Sequence, residues 1–154
     1  MKNKKKGQAQ QFLERIRKID VQIDCMVQER EALKDMALRV TPSMSGNGGS
    51  SGGNQDKLGS AVARIVDMEE KIDMAVDELI SLKQEASVLL GRLDKPEHLK
   101  VLHERYIQYR SFETIACEMG YTYRGVHYLH GRALQAFDKA LEEYRKERSK
   151  TPLE

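Results

Sequence analysis

Two long stretches of the chain repeat apolar residues at alternating spacings of four and three positions. In the first stretch, residues 8–40, the repeat continues for about four heptads and is interrupted only at Arg30. This spacing places every apolar member on one stripe of an α-helix, so it predicts a single long helix with a coiled-coil seam. The seam residues are Phe12, Ile16, Ile19, Ile23, Met26, Leu33, Ala37 and Val40.

The second stretch, residues 58–93, repeats the same spacing and predicts a second long helix. Between the two, residues 41–57 are rich in Gly and Ser and lack apolar periodicity, which predicts a flexible connection. Matched seams joined in this way predict an antiparallel helical hairpin, although pairing of each helix with another copy of the chain fits equally well. The second seam consists of Ala61, Ile65, Met68, Ile72, Ala75, Leu79, Leu82, Ala86, Leu89 and Leu93.

Residues 94–148 carry the local signals of three helices with short connections. Pro96 suits the first turn of a helix, and Ser111 and Thr122 are good N-cap residues. Gly120 stands where the helix after Ser111 would end with a positive φ. Two helices joined by such a turn form a helix-turn-helix pattern. We therefore predict an all-α protein in which a long antiparallel helical hairpin, a coiled coil, precedes a C-terminal trihelical helix-turn-helix module.

The inner face of this module is expected to contain most of its aliphatic residues. On the helix that follows Thr122, Val126, Leu129 and Ala133 would face the core, which leaves the opposite stripe exposed. The expected core positions on the two preceding helices are Leu99, Leu102, Tyr106, Phe112, Ile115, Ala116 and Met119. A trihelical core that only closes the end of the hairpin is the simplest interpretation of these residues.

The exposed stripe of the last helix offers a different interpretation. No acidic residue occurs between Gly120 and Phe137, and a surface that faces phosphate needs such a local absence. In a helix that reads DNA, the N-terminal residues contact base edges and their neighbours contact phosphate. The candidate DNA-binding residues are Thr122, Tyr123, Arg124, His127, Tyr128 and Arg132.

Charge and targeting signals narrow the functional classes. The net charge is only +2, with ten basic and six acidic residues in 1–40 against five and eight in 56–93. The basic N-terminal tail, residues 1–7, has no apolar segment of the kind found in secretory signals. The sequence contains no run of about 18 apolar residues, so it predicts no membrane span. With two widely separated cysteines, Cys25 and Cys117, these features predict a cytoplasmic protein with reduced thiols and no membrane partner.

Catalytic and cofactor motifs are not found in the sequence. The pairs His98/His103 and His127/His130 do not supply the three or four convergent ligands that a zinc site needs. The Gly/Ser-rich segment lacks the Gly-Lys-Ser/Thr of a phosphate-binding loop. We expect no enzyme activity, no metal site and no cofactor.

The segments "LHERYI" and "FETIACEMGYTYRGVHYLHGRAL" resemble region 4 of sigma-70-type factors. This resemblance implies that Tyr123, Arg124, His127 and Tyr128 occupy positions that contact the major groove. The whole chain, including "RVTPSMS" and "DKLGSAVARIVDMEEKID", is similar to small phage-encoded regulators of Gram-positive hosts. Two features depart from region 4: Tyr123 and Gly125 stand where that helix usually carries Arg and Glu, and no segment resembles the sigma region that melts promoters.

The expected function is therefore that of a phage or prophage transcriptional regulator that binds double-stranded DNA in a sequence-specific manner. The hairpin would contact host RNA polymerase or a second copy of the protein through its coiled coil. The sequence leaves two alternatives open. One is a DNA-packaging adaptor similar to a small terminase subunit, and the other is a module that binds polymerase or a sigma factor without reading DNA.

Overall fold

A computed structural model of the protein describes residues 6–40 and 51–151, and every regular element in these two ranges is helical. The all-helical fold class is thereby confirmed for the described residues. Residues 1–5 of the predicted tail and 41–50 of the predicted connection lie outside them. The five α-helices and one π-helical segment are α1 (Gln8–Val40), α2 (Ser51–Gly91), α3 (Pro96–Leu102), the π-helical segment (His103–Ile107), α4 (Phe112–Met119) and α5 (Tyr123–Lys150).

The bounds of the two long helices follow the apolar seams closely, with one difference. Helix α1 covers the predicted range 8–40, whereas α2 begins at Ser51, seven residues before the predicted start at Leu58. Glycine in a helix interior costs about 1 kcal/mol relative to alanine. Extending an existing helix nevertheless adds one hydrogen bond for each residue that is fixed. Residues 51–57 are therefore helical despite their Gly-rich composition.

The chain divides into two compact units. The described part of one unit, here called the two-helix unit, comprises residues 19–40 and 51–79. Most of its seam residues are half-buried, while Ile19 and Ile72 are buried. The Nζ atom of Lys34 on α1 lies 3.9 Å from Oε1 of Glu69 on α2. In this unit the 4-3 spacing thus identifies the least exposed positions of each helix.

The described part of the other unit, here called the C-terminal unit, comprises residues 6–18 and 80–151 and contains a larger core. Phe137 is fully buried and its ring centroid lies 5.9 Å from that of Phe12. Val101 is also fully buried although the apolar spacing did not single it out, whereas Leu99, expected on the inner stripe, is 37% exposed. The other buried side chains of this unit are Ala9, Leu13, Ile16, Leu82, Ala86, Leu89, Leu90, Leu102, Tyr106, Ile115, Ala116, Val126, Leu129, Ala133, Ala140 and Leu141.

The connection between α3 and α4 departs from regular helix. The amide of Gln108 donates to the carbonyl of His103 at 3.1 Å, a bond that spans five residues and closes the π-helical segment. Tyr109 then adopts a φ of 58°. Arg110 stabilises the bend, because its Nε lies 3.1 Å from Oε2 of Glu104 and its Nη1 donates to Oε1 of Glu118 on α4.

Charge is segregated between the two units. The two-helix unit carries six basic and twelve acidic side chains, so its net charge is −6. The described part of the C-terminal unit carries seventeen basic and eleven acidic side chains, which gives +6. The small net charge of the whole chain therefore results from two units of opposite net charge.

Candidate nucleic-acid interface

The turn between α4 and α5 is built by the capping residues that the sequence indicates. Ser111 Oγ accepts a hydrogen bond from the amide of Thr114 at 3.2 Å, which caps α4. Gly120 ends that helix with a φ of 71°, in the left-handed region that glycine adopts without strain. Thr122 Oγ1 then accepts from the amide of Gly125 at 3.0 Å, which starts α5. All three predicted caps are confirmed.

Helix α5 is anchored by the side chains expected to face the core. Val126 and Ala133 are fully buried, and Leu129 is 9% exposed. On α4, Ile115 and Ala116 are buried as well, and the carbonyl of Ala116 accepts from the amide of Tyr121 at 2.9 Å. The start of α5 is thus held in a single orientation, with its opposite face directed to solvent.

The six predicted DNA-binding residues are all exposed. Five of them lie on one face of α5, because positions 123, 124, 127, 128 and 132 recur at helical spacing. Tyr123 is 55% exposed and Tyr128 is 67% exposed, so both rings face solvent. The sixth residue, Thr122, precedes the helix and engages its hydroxyl oxygen in the cap.

Within this face the side chains form two groups. The ring of His127 lies between Phe112, at a centroid distance of 4.3 Å, and Tyr123, at 4.5 Å. One turn further along, Nη1 of Arg132 donates to the hydroxyl of Tyr128 at 2.9 Å. These contacts restrict side-chain rotation before any partner binds.

Arg124 differs from its neighbours on the face. Its side chain is exposed and makes no hydrogen bond or ion pair with the part of the chain that the structure describes. A guanidinium carries five N–H donors in a planar fork and holds its charge at all physiological pH values. Arg124 therefore presents an unengaged cation close to the N-terminus of α5.

Gly125, which departs from the region 4 pattern, has a local structural role. A Cβ atom at this position would lie 3.0 Å from Thr122 Oγ1 and 3.5 Å from Cδ1 of Tyr121. Such a contact is tighter than ordinary van der Waals packing, so a larger residue would displace the capping hydroxyl. Glycine thus leaves room for the cap and for Tyr121 beside it.

A second layer of side chains behind the face was not found by sequence reasoning. The rings of Tyr106 and His130 stack at a centroid distance of 5.7 Å, and Phe112 meets His130 edge-on at 4.9 Å. The Cζ atom of Arg105 lies 4.2 Å from the centroid of Phe112, within range of a cation–π interaction. These aromatic residues connect the π-helical segment and α4 to the helix that carries the face.

Burial shifts the pKa values of two side chains in this second layer. Burial, followed by the nearby positive charge of Arg105, lowers the pKa of His130 from 6.5 to about 4. Burial raises the pKa of Tyr106 from 10.0 to about 12. Both side chains are therefore neutral at neutral pH, and Arg105 supplies the positive charge of this layer.

The exposed face ends at a groove of about 580 Å³ between α5 and the first turn of α1. His127, Tyr128 and Arg132 line one side of it, and Lys6 and Gln10 line the other. The sequence alone gave no signal for this arrangement, because the two sides are more than a hundred residues apart in the chain.

No protein-family model, curated protein or solved structure matches this chain. In residues 6–40 and 51–151, no three His, Cys, Asp or Glu side chains are grouped so that they would hold a metal ion. Among the helices described, none has the length and apolar character needed to cross a membrane.

Proposed function

We propose that the C-terminal unit is a sequence-specific DNA-binding module of the helix-turn-helix type, with α4 as the supporting helix and α5 as the recognition helix. The observation that carries this proposal is the exposed, acid-free face on the first three turns of α5. Capped helices, a three-residue turn and buried anchors support it, because these features fix a recognition helix against its support. The resemblance to sigma region 4 points in the same direction.

Each side chain of the face has a role in this proposal. Arg124, near the start of α5, donates to a base edge, and guanine is the preferred partner of a guanidinium in the major groove. The Tyr123–His127 pair and the Tyr128–Arg132 pair contact sugar and phosphate. Thr122 Oγ1 accepts the capping hydrogen bond, so its own O–H is free to donate to a phosphate oxygen. The positive end of the helix dipole adds to this attraction.

The two-helix unit is assigned a different task, that of an antiparallel hairpin that contacts a protein. Its net charge of −6 would repel the DNA backbone. It also exposes apolar side chains on α2, with Val62 49%, Val66 56% and Met74 72% accessible. We assign this unit to host RNA polymerase, so that the protein regulates transcription of phage or prophage genes by linking promoter DNA to the enzyme.

The decisive experiment selects sequences from a random duplex library and measures the affinity of the enriched sequence against a scrambled one. The wild-type protein should prefer the enriched duplex. Arg124→Ala should weaken binding and relax the preference by about 1–3 kcal/mol at one position. The matched control is Arg148→Ala, since Arg148 is exposed at the far end of the same helix. If wild type binds both duplexes equally, sequence-specific recognition is wrong.

The two alternative functions predict other results in the same experiments. A module that binds only polymerase or a sigma factor would have no DNA affinity for the Arg124 substitution to change. A packaging adaptor similar to a small terminase subunit would assemble into a large ring, which a mass measurement in solution detects. A monomer or dimer that prefers one duplex would support the regulator.

A further inference from the structure

The first turn of α1 is fixed against the proposed recognition helix. Asp138 Oδ1 accepts a hydrogen bond from the amide of Ala9 at 2.6 Å, so an α5 side chain caps the start of α1. A Cβ atom at Gly7 would lie only 3.1 Å from Asp138 Oδ2, so the second carboxylate oxygen also faces this turn. Arg145 Nη1 donates to Oε1 of Gln8 at 2.9 Å. These contacts hold α1 beside the candidate interface.

The groove that results is lined by groups suited to an anion. Lys6 and Arg132 contribute positive charge, and Gln10, His127 and Tyr128 contribute further polar groups. Asp138 is the single acidic residue among the described residues that line the groove. The start of a helix as long as α1 adds partial positive charge.

The hydrogen bond from the amide of Ala9 partly compensates the negative charge of Asp138. The positive charge of Lys6 is paired with Glu14. Lys6 Nζ lies 2.8 Å from Oε2 of Glu14, but the two side chains are 56% and 39% exposed. A surface ion pair of this kind contributes little to stability, because solvent screens it. A phosphate group would therefore displace Glu14 from Lys6 at little cost.

We propose that this groove binds the phosphate backbone of the DNA duplex that α5 recognises, so that α1 is part of the DNA-binding surface. The proposal rests on the function proposed above. Its basis is continuity, because His127, Tyr128 and Arg132 belong both to the exposed face of α5 and to the groove wall. A helix inserted in the major groove, about 12 Å wide, has phosphates on both flanks. An element fixed beside that helix therefore meets the backbone.

Three single-charge variants of the full chain test the proposal. Lys6→Gln removes a cation from the groove, and Asp138→Asn removes the anion while keeping an oxygen that can accept from Ala9. Lys146→Gln is the control, because Lys146 is an exposed cation elsewhere on α5 and pairs with Glu142 at 3.0 Å. Affinities for the enriched and scrambled duplexes are measured at 50 and 200 mM salt, and a thermal melt verifies folding.

Lys6→Gln should weaken binding to both duplexes by the same factor, since a phosphate contact carries no sequence information. Losing one such contact lowers the salt slope by about 1, so the affinity ratio between the two salt concentrations should shrink roughly 3.5-fold. Asp138→Asn should bind both duplexes more tightly than wild type. Lys146→Gln should match wild type in sequence preference and salt slope.

The outcomes separate the two proposals. If wild type shows no sequence preference, the proposed function fails and this inference fails with it. If wild type prefers the enriched duplex but Lys6→Gln retains the wild-type salt slope, only the role of α1 is overturned. Lys6 is exposed, so its substitution remains informative even if Asp138→Asn fails to fold.

Discussion

The hydroxyl oxygen of Tyr106 lies 2.7 Å from Nε2 of His130, which joins the π-helical segment to α5 directly behind the candidate interface. Either atom can supply the proton, depending on the tautomer of the imidazole. Burial and the nearby positive charge of Arg105 both disfavour protonation of His130 in this aromatic cluster. This relationship has a measurable consequence for stability.

We expect the free energy of unfolding to fall as the pH is lowered from about 6.5 to about 4. The unfolded chain binds a proton at His130 in this range and the folded chain does not, so acid favours unfolding. Above pH 6.5 His130 is neutral in both the folded and the unfolded chain, so this loss of stability is absent there. Since the side chain is partly exposed, solvent screening reduces the effect to about 1–2 kcal/mol.

Urea unfolding at pH 7.5 and pH 4.5 measures this dependence in wild type and in His130→Gln. Other carboxylates and histidines titrate in the same range, so the informative quantity is the difference between the two proteins. The variant should lose less stability on acidification than wild type. An equal loss in both proteins would show that protonation of His130 does not contribute to the acid-induced loss of stability.

Gly125 and Gly131 form a matched pair on α5. Gly131→Ala should stabilise the protein by up to about 1 kcal/mol, because a Cβ there meets nothing within 4 Å and alanine has the higher helix propensity. Gly125→Ala should gain clearly less or destabilise, because its Cβ would crowd Thr122 Oγ1. Thermal melts of the two variants test this, and equal stabilisation by both substitutions would contradict it.

The hydroxyl of Thr122 should determine how firmly α5 begins. Thr122→Ala removes the acceptor for the amide of Gly125 and should lower the free energy of unfolding by about 1 kcal/mol. Thr122→Ser retains the oxygen and should remain close to wild type. Chemical denaturation distinguishes the two, and a serine variant as unstable as the alanine variant would show that the threonine methyl matters instead.

The features of this fold that could be predicted from the sequence depend on residues that are close together in the chain. The long helices, the caps at Ser111 and Thr122 and the positive φ at Gly120 depend on residues within one or two turns of each other. The same holds for the exposed stripe of α5, which follows from helical spacing once Val126 and Leu129 are assigned to the core. These parts of the structure agree with the sequence analysis.

The features that the sequence did not indicate depend on distant packing. Asp138 and Ala9 are 129 positions apart, and nothing in either segment predicts that one caps the other. The aromatic pair of Tyr106 and His130 requires the π-helical segment, which has no signal in the apolar spacing. Leu99 was expected among the core positions together with Leu102 and Tyr106, but the chain is π-helical from His103, so α-helical spacing does not extend to Tyr106 and α3 buries Val101 beside Leu102.

The number of cations at the interface sets an expectation for the salt dependence of DNA binding. Arg124 and Arg132 lie on the α5 face, and Lys6 lies across the groove. Each phosphate that a cation neutralises contributes about −0.9 to the slope of log affinity against log salt concentration. Scrambled duplex, which lacks base contacts, should therefore show a slope of about −3 if all three residues contact phosphate, and about −2 if α1 is not involved.

This slope is measured by fluorescence anisotropy on a labelled scrambled duplex between 50 and 300 mM salt. Arg132→Gln and Lys6→Gln should each reduce its magnitude by about 1, and their combination should reduce it by about 2, because independent phosphate contacts add. Lys146→Gln, which removes an exposed cation paired with Glu142 outside the groove, is a control expected to leave the slope unchanged. A slope clearly steeper than about −3 would require phosphate contacts from residues other than these, such as the basic N-terminal lysines or a second copy of the protein on the same duplex.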